Sequence, residues 1–141
     1  STHGFLPSGG WGWMWTGDPD RGFGRQQPAG WNYDILPFLE QQALYDLGQD
    51  GDPDNLTATQ QDGAHQRDQT PVAVFACPTR RRAAVYPRPK GMTYRNGRQI
   101  TTAGPMDYAA NAGDTNARWY SGPGSITAAA TFDWNTRGAN Q

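Results

Sequence analysis

In 141 residues there is one cysteine, one glutamate and one lysine. A lone thiol, Cys77, excludes an internal disulfide framework and any zinc ribbon, since both need cysteines in pairs. Free cysteines are most often interior, so burial is the expectation for Cys77. Aliphatic residues are also scarce: six Leu, three Ile and three Val. No stretch approaches the roughly eighteen apolar residues of a membrane span. No signal peptide is visible, and the chain opens at Ser1 as if in mid-sequence. Catalytic signatures are lacking as well. His3 and His65 stand in polar surroundings outside any HExxH arrangement, and there is neither a GxSxG elbow nor a GxxxxGK[ST] loop. The twelve aspartates contain some pair at a workable distance for glycoside hydrolysis, which is availability and not a motif. The expectation is a protein that is not an enzyme.

What the chain has instead is rings, turns and short charged side chains. Six Trp, six Tyr and five Phe replace the missing aliphatics, and large rings bury more area per residue than Val or Leu. A formal net charge of −1 does not fit a disordered chain. The eighteen Gly and eleven Pro follow no three-residue period, which excludes collagen and points to many turns and long ordered loops. Charge is carried by twelve Asp and eleven Arg, and Asp favours caps and turns over helix interiors, so little helix is expected. A length of 141 residues fits one domain spanning 1–141.

Residues 34–47 read as the one convincing helix. Pro37 suits its first turn and Gly48 its C-terminal stop. Leu36, Leu39, Ala43 and Leu47 would form its buried stripe, with Phe38, Gln42 and Tyr45 beside it. Residues 48–70 read as a long polar loop, and Val72–Cys77 as a short buried strand ended by Pro78. Residues 79–98 are basic. From 100 to 141 the chain is small and polar, with Tyr108, Trp119, Tyr120, Phe132 and Trp134 as anchors for short strands.

Three groups of residues could carry a site. Asp50, Asp52 and Asp54 alternate directly after the expected helix, as in the opening of a calcium loop. Position six is Asn55 rather than Gly and position twelve is Gln61 rather than a bidentate carboxylate, so a solvated acidic turn is the simpler account. The same segment holds a glycosylation sequon, Asn55-Leu56-Thr57. Second, Arg80, Arg81, Arg82 and Arg88 lie near Tyr86 and Tyr94, a mixture used for single-stranded nucleic acid. The near-neutral chain and the acidic segment Asp34 to Asp68 favour charge pairing instead, and nucleic acid is not an expected partner. Third, Trp11, Trp13 and Trp15 alternate, so an extended strand would project all three rings from one face. Buried, they form core or subunit contact; exposed, they form a sugar-stacking platform together with Trp31 or Trp119.

Several segments, in order, resemble one family. They are His3-Gly4-Phe5-Leu6-Pro7-Ser8-Gly9-Gly10-Trp11, then Trp31 leading into Ile35-Leu36-Pro37-Phe38-Leu39-Glu40-Gln41-Gln42-Ala43-Leu44-Tyr45. Val74-Phe75-Ala76-Cys77-Pro78-Thr79 and Asp107-Tyr108-Ala109-Ala110-Asn111-Ala112-Gly113 follow. This series is similar to a large planctomycete family with a prepilin-type N-terminal cleavage and methylation signal, a domain of unknown function once labelled an extracellular solute-binding family. The resemblance implies a pilin-like α+β fold, with a helix on a small antiparallel sheet and long Gly/Pro-rich loops. It implies an exported envelope protein, and an apolar helix before Ser1 that alone would meet the membrane. A C-terminal family motif is expected beyond Gln141. Relatives often carry a second Cys in that N-terminal region, which would make Cys77 half of a disulfide. On this basis the expected function is a non-catalytic structural subunit that self-assembles or joins other envelope subunits. The alternative is an extracellular carbohydrate or small-solute binding module using the tryptophan platform. No cofactor is expected beyond calcium at the acidic loop.

Overall fold

The computed structural model describes residues 3–111 and 120–134. It is α+β, with short helices beside a two-stranded antiparallel sheet. The segment 34–47 is not one helix. It is split into α1 (Trp31–Asp34), a 3-10 turn (Leu36–Leu39) and α2 (Gln42–Tyr45). Pro37 has no N–H to continue an α-helical ladder, and Glu40 closes the turn in the left-handed region at φ 59°. The corner is useful to the core. It brings Tyr33, Leu36, Leu44 and Tyr45 into one cluster with Ala29 and Phe75, whereas a straight helix would carry Tyr45 about 120° around its axis from Tyr33. Tyr33 stacks on Tyr45 at 4.5 Å and donates its hydroxyl to the Tyr45 carbonyl at 2.8 Å. Ala43, expected to be buried, is exposed.

The longest helix, α3 (Ala58–Asp68), lies inside the segment expected to be a loop. Thr57 and Gln60 form a reciprocal capping box at its start. Gly63 faces Gly48 so closely that any side chain there would overlap the Leu47–Gly48 backbone. The expected strand at 72–77 is instead a 3-10 turn over Ala73–Phe75. Its amides bond locally, Phe75 N–H to Val72 O and Ala76 N–H to Ala73 O, and Val74 turns outward.

The basic stretch supplies most of the sheet. Strand β1 (Tyr86–Thr93) pairs antiparallel with β2 (Gln99–Ala103), and the register is interrupted between Pro87 and Met92. Pro87 and Pro89 have no N–H to give to a ladder, which accounts for an irregular strand here. The connecting loop contains Asn96-Gly97, and Asn96 is buried. Its side-chain amide bonds the Thr16 carbonyl at 2.8 Å and accepts from the Thr16 N–H at 3.0 Å, tying the hairpin to the N-terminal segment. Helix α3 packs on β2, and Gln69 just beyond it accepts from the Thr102 hydroxyl at 2.8 Å.

A second cluster joins Trp11, Trp15 and Ala129, flanked by Met14, Ile126 and Trp134. Ala129 ends α4 (Ile126–Ala129), which Ser125 caps. The loop between the two clusters is organised by Gln27, which is fully buried. Its amide nitrogen donates to the carbonyls of Asp18 and Gly22, and its oxygen accepts from the amides of Asp18 and Ala29. All four of its hydrogen-bonding positions are thus used, as burial of a primary amide requires.

Candidate functional site

The three-ring tryptophan row does not form, because residues 11–15 follow a turn rather than a strand. Trp11 and Trp15 are buried edge to face, with centroids 4.9 Å apart, while Trp13 points outward. The indole N–H of Trp15 is held by the Pro123 carbonyl and that of Trp11 by the Arg25 carbonyl, each at 3.0 Å. Trp31 is half-buried against Phe75. Trp119 lies outside the described residues.

The acidic loop is an arrangement of turn and cap acceptors. Asp50 accepts from the Thr57 hydroxyl and from Gln60 Nε2, bridging the loop to the start of α3. These bonds hold its carboxyl below the usual range, the Thr57 hydroxyl contributing most. Asp52 accepts from the amides of Asp54 and Asn55 and from the Asn55 side chain. Asp20 reaches across to receive the amides of Asp50 and Gly51, each at 3.0 Å. Among the described residues no group of three or more His, Cys, Asp or Glu side chains is placed to hold a metal ion.

The arginines separate. Arg80 and Arg81 both pair with Asp107, at 3.2 and 3.0 Å, and the carboxylate of Asp107 is buried. Asp107 also accepts from the Cys77 amide at 3.0 Å. Their partner therefore lies outside the acidic segment 34–68, whereas Arg98 does pair within it, with Asp62. Arg82 is exposed, and Arg88 reaches the sulfur of Met92 at 3.4 Å. Cys77 is a half-buried free thiol, not the interior one expected. Hydrogen bonding from Thr79, whose hydroxyl is 3.1 Å from the sulfur, lowers its pKa.

Two concavities stand out among the described residues. An open groove of about 790 Å³ runs past Trp11, Phe132 and Trp134, with Arg21, Arg25 and Asp54 along it. A smaller cavity of about 300 Å³ lies where the main core meets the C-terminal end of α3 and the hairpin. Apolar residues line much of it, and Arg67, Asp68, Arg88 and Tyr94 face it. Burial raises the pKa values of Asp68 and Tyr94. No sequence pattern marks this cavity, because its lining comes from five separated segments.

Among the described residues these elements define a loop-rich α+β domain with two aromatic clusters and a recessed polar–apolar cavity. The chain belongs to a family of proteins of unknown function, DUF1559, whose model matches residues 1–138. No curated protein and no solved structure matches it.

Proposed function

We propose that the protein is a non-catalytic structural subunit of the bacterial cell envelope, pilin-like and exported, which assembles with copies of itself or with other envelope subunits. The observation that carries this reading is the apolar surface beside the main core. Leu6 is 85% exposed, Phe38 56% and Phe5 50%, and His3 lies against Phe23 and Phe38 at 4.3 and 6.0 Å. Contiguous rings left in water are characteristic of a surface that meets another protein. The near absence of Lys and Glu agrees, since both are depleted at interface cores while aromatics and Arg are enriched. The deciding experiment is negative-stain electron microscopy of the native, envelope-derived protein. Regular filaments or arrays support the reading; dispersed particles at high concentration remove it.

The groove beside Trp134 favours a second reading, an extracellular carbohydrate-binding module. Its rings with flanking Arg and Asp side chains suit a sugar's apolar face and hydroxyls. Tryptophan fluorescence that stays unchanged across a polysaccharide panel would count against it.

A further inference from the structure

We propose that the 300 Å³ cavity between the core, α3 and the hairpin binds a free α-amino acid with an apolar side chain, as its zwitterion. This site is separate from the assembly surface and independent of the assembly reading. One wall is apolar, formed by Leu36, Leu44, Val72, Phe75 and Ile100. Two opposite charges face the same space, Asp68 and Arg88. They form no ion pair with each other, and the third charged group, Arg67, supports the Asp68 carboxylate through its charge while its hydrogen bonds go to backbone carbonyls. Its guanidinium bonds the carbonyls of Leu47 and Gly17 and lies over the Tyr33 ring at 4.8 Å. Asp68 uses one oxygen to accept from the Thr16 hydroxyl at 2.9 Å, and the Arg88 guanidinium bonds only neutral groups, the Met92 thioether and the Tyr94 hydroxyl, which leaves its charge without a carboxylate in contact.

A ligand must therefore answer one negative and one positive group and also fill an apolar space. A simple anion would meet Asp68, and a simple cation would meet Arg88, each at the cost of like-charge repulsion. A neutral sugar would set its hydroxyls against Leu36, Leu44 and Ile100, where nothing can pair with them. A zwitterion satisfies all three demands: its ammonium faces Asp68, its carboxylate faces Arg88, and its side chain lies on the apolar wall. The guanidinium is suited to carboxylate because its parallel N–H groups match the two oxygens.

Isothermal titration calorimetry of the whole chain with leucine and with phenylalanine tests this, using 4-methylpentanoate and 3-methylbutylamine as single-charge analogues. Saturable binding of at least one amino acid is expected, with both analogues at least tenfold weaker. Arg88→Gln should lose at least tenfold in affinity while melting at the wild-type temperature. Ala103→Leu, which narrows the cavity from the β2 side, should abolish binding independently of charge. No heat with either amino acid, equal affinity for the analogues, or wild-type binding by both variants overturns the proposal. Filament formation by the same preparation is scored separately, so failure here leaves the assembly reading standing or falling by its own measurement.

Discussion

Asp34 is 3% exposed, and its carboxylate has no well-formed hydrogen bond, the Ser8 amide being a donor directed at it from poor geometry. Burial pushes its pKa up to about 6, with the Ser8 amide pulling weakly the other way. A carboxyl whose folded pKa lies above its unfolded value binds its proton more tightly in the folded state. Its ionisation therefore costs nothing below about pH 4, progressively more between about 4 and 6, and a constant amount above. A shift of that size corresponds to about 3 kcal/mol. Discounted for solvent screening, the expected cost is about 2 kcal/mol. Asp34→Asn should therefore match wild type in urea unfolding at pH 4 and exceed it by about 2 kcal/mol at pH 8. A difference that stays constant with pH would remove the assignment. Arg67 is a buried cation whose guanidinium donates to two backbone carbonyls. Arg67→Met leaves the carbonyls of Leu47 and Gly17 without their donor, and a loss of about 3 kcal/mol is expected in the same assay.

Helix α3 owes its position to its ends and to one close approach, and little to an apolar face. Of its eleven residues only Gln60, Gly63, Ala64 and Arg67 are buried, so the repeating apolar stripe that betrays most helices is missing. Thr57-x-x-Gln60 was the legible signal, since a hydroxyl followed three residues later by Glu or Gln marks a helix start. The hairpin had a comparable signal in Asn96-Gly97, a pair that favours tight turns between strands; the arginine-rich flanks obscured it. The run 34–47 misled for the converse reason. Its helical spacing is real, but Pro37 and the left-handed Glu40 turn it into a corner. Thr57→Ala removes one side of the box and should cost about 1 kcal/mol. Glu40→Gly should be neutral or stabilising by up to about 1 kcal/mol, because glycine adopts the left-handed conformation without strain. If chemical denaturation shows Glu40→Gly to be destabilising, the corner has a different conformation in solution.

At the level of the whole molecule, described rings are put to at least three uses. Trp11 and Trp15 fill one cluster, Tyr33, Tyr45 and Phe75 fill the other, and Phe5 and Phe38 remain in water. Composition alone showed that aromatics must replace aliphatics in the core, and it could not apportion them, because whether a ring is buried depends on turns such as those at 11–15 and 37–40. The outward set is where assembly is expected to be decided. Leu6 and Phe38 contribute little to either cluster, so Leu6→Asp with Phe38→Asp should leave unfolding within about 1 kcal/mol of wild type, as for most exposed positions. The same double variant places two like charges on the face proposed to pack against another subunit, where each would be desolvated without a partner. Sedimentation velocity should then show at least a tenfold weaker association than wild type, and electron microscopy should show short filaments or none. If the double variant assembles like wild type while folding normally, the contact between subunits lies elsewhere. The next residues to test would then be Val74 and Tyr108, which are also exposed and are chain neighbours of Phe75 and Asp107, themselves joined by a backbone hydrogen bond.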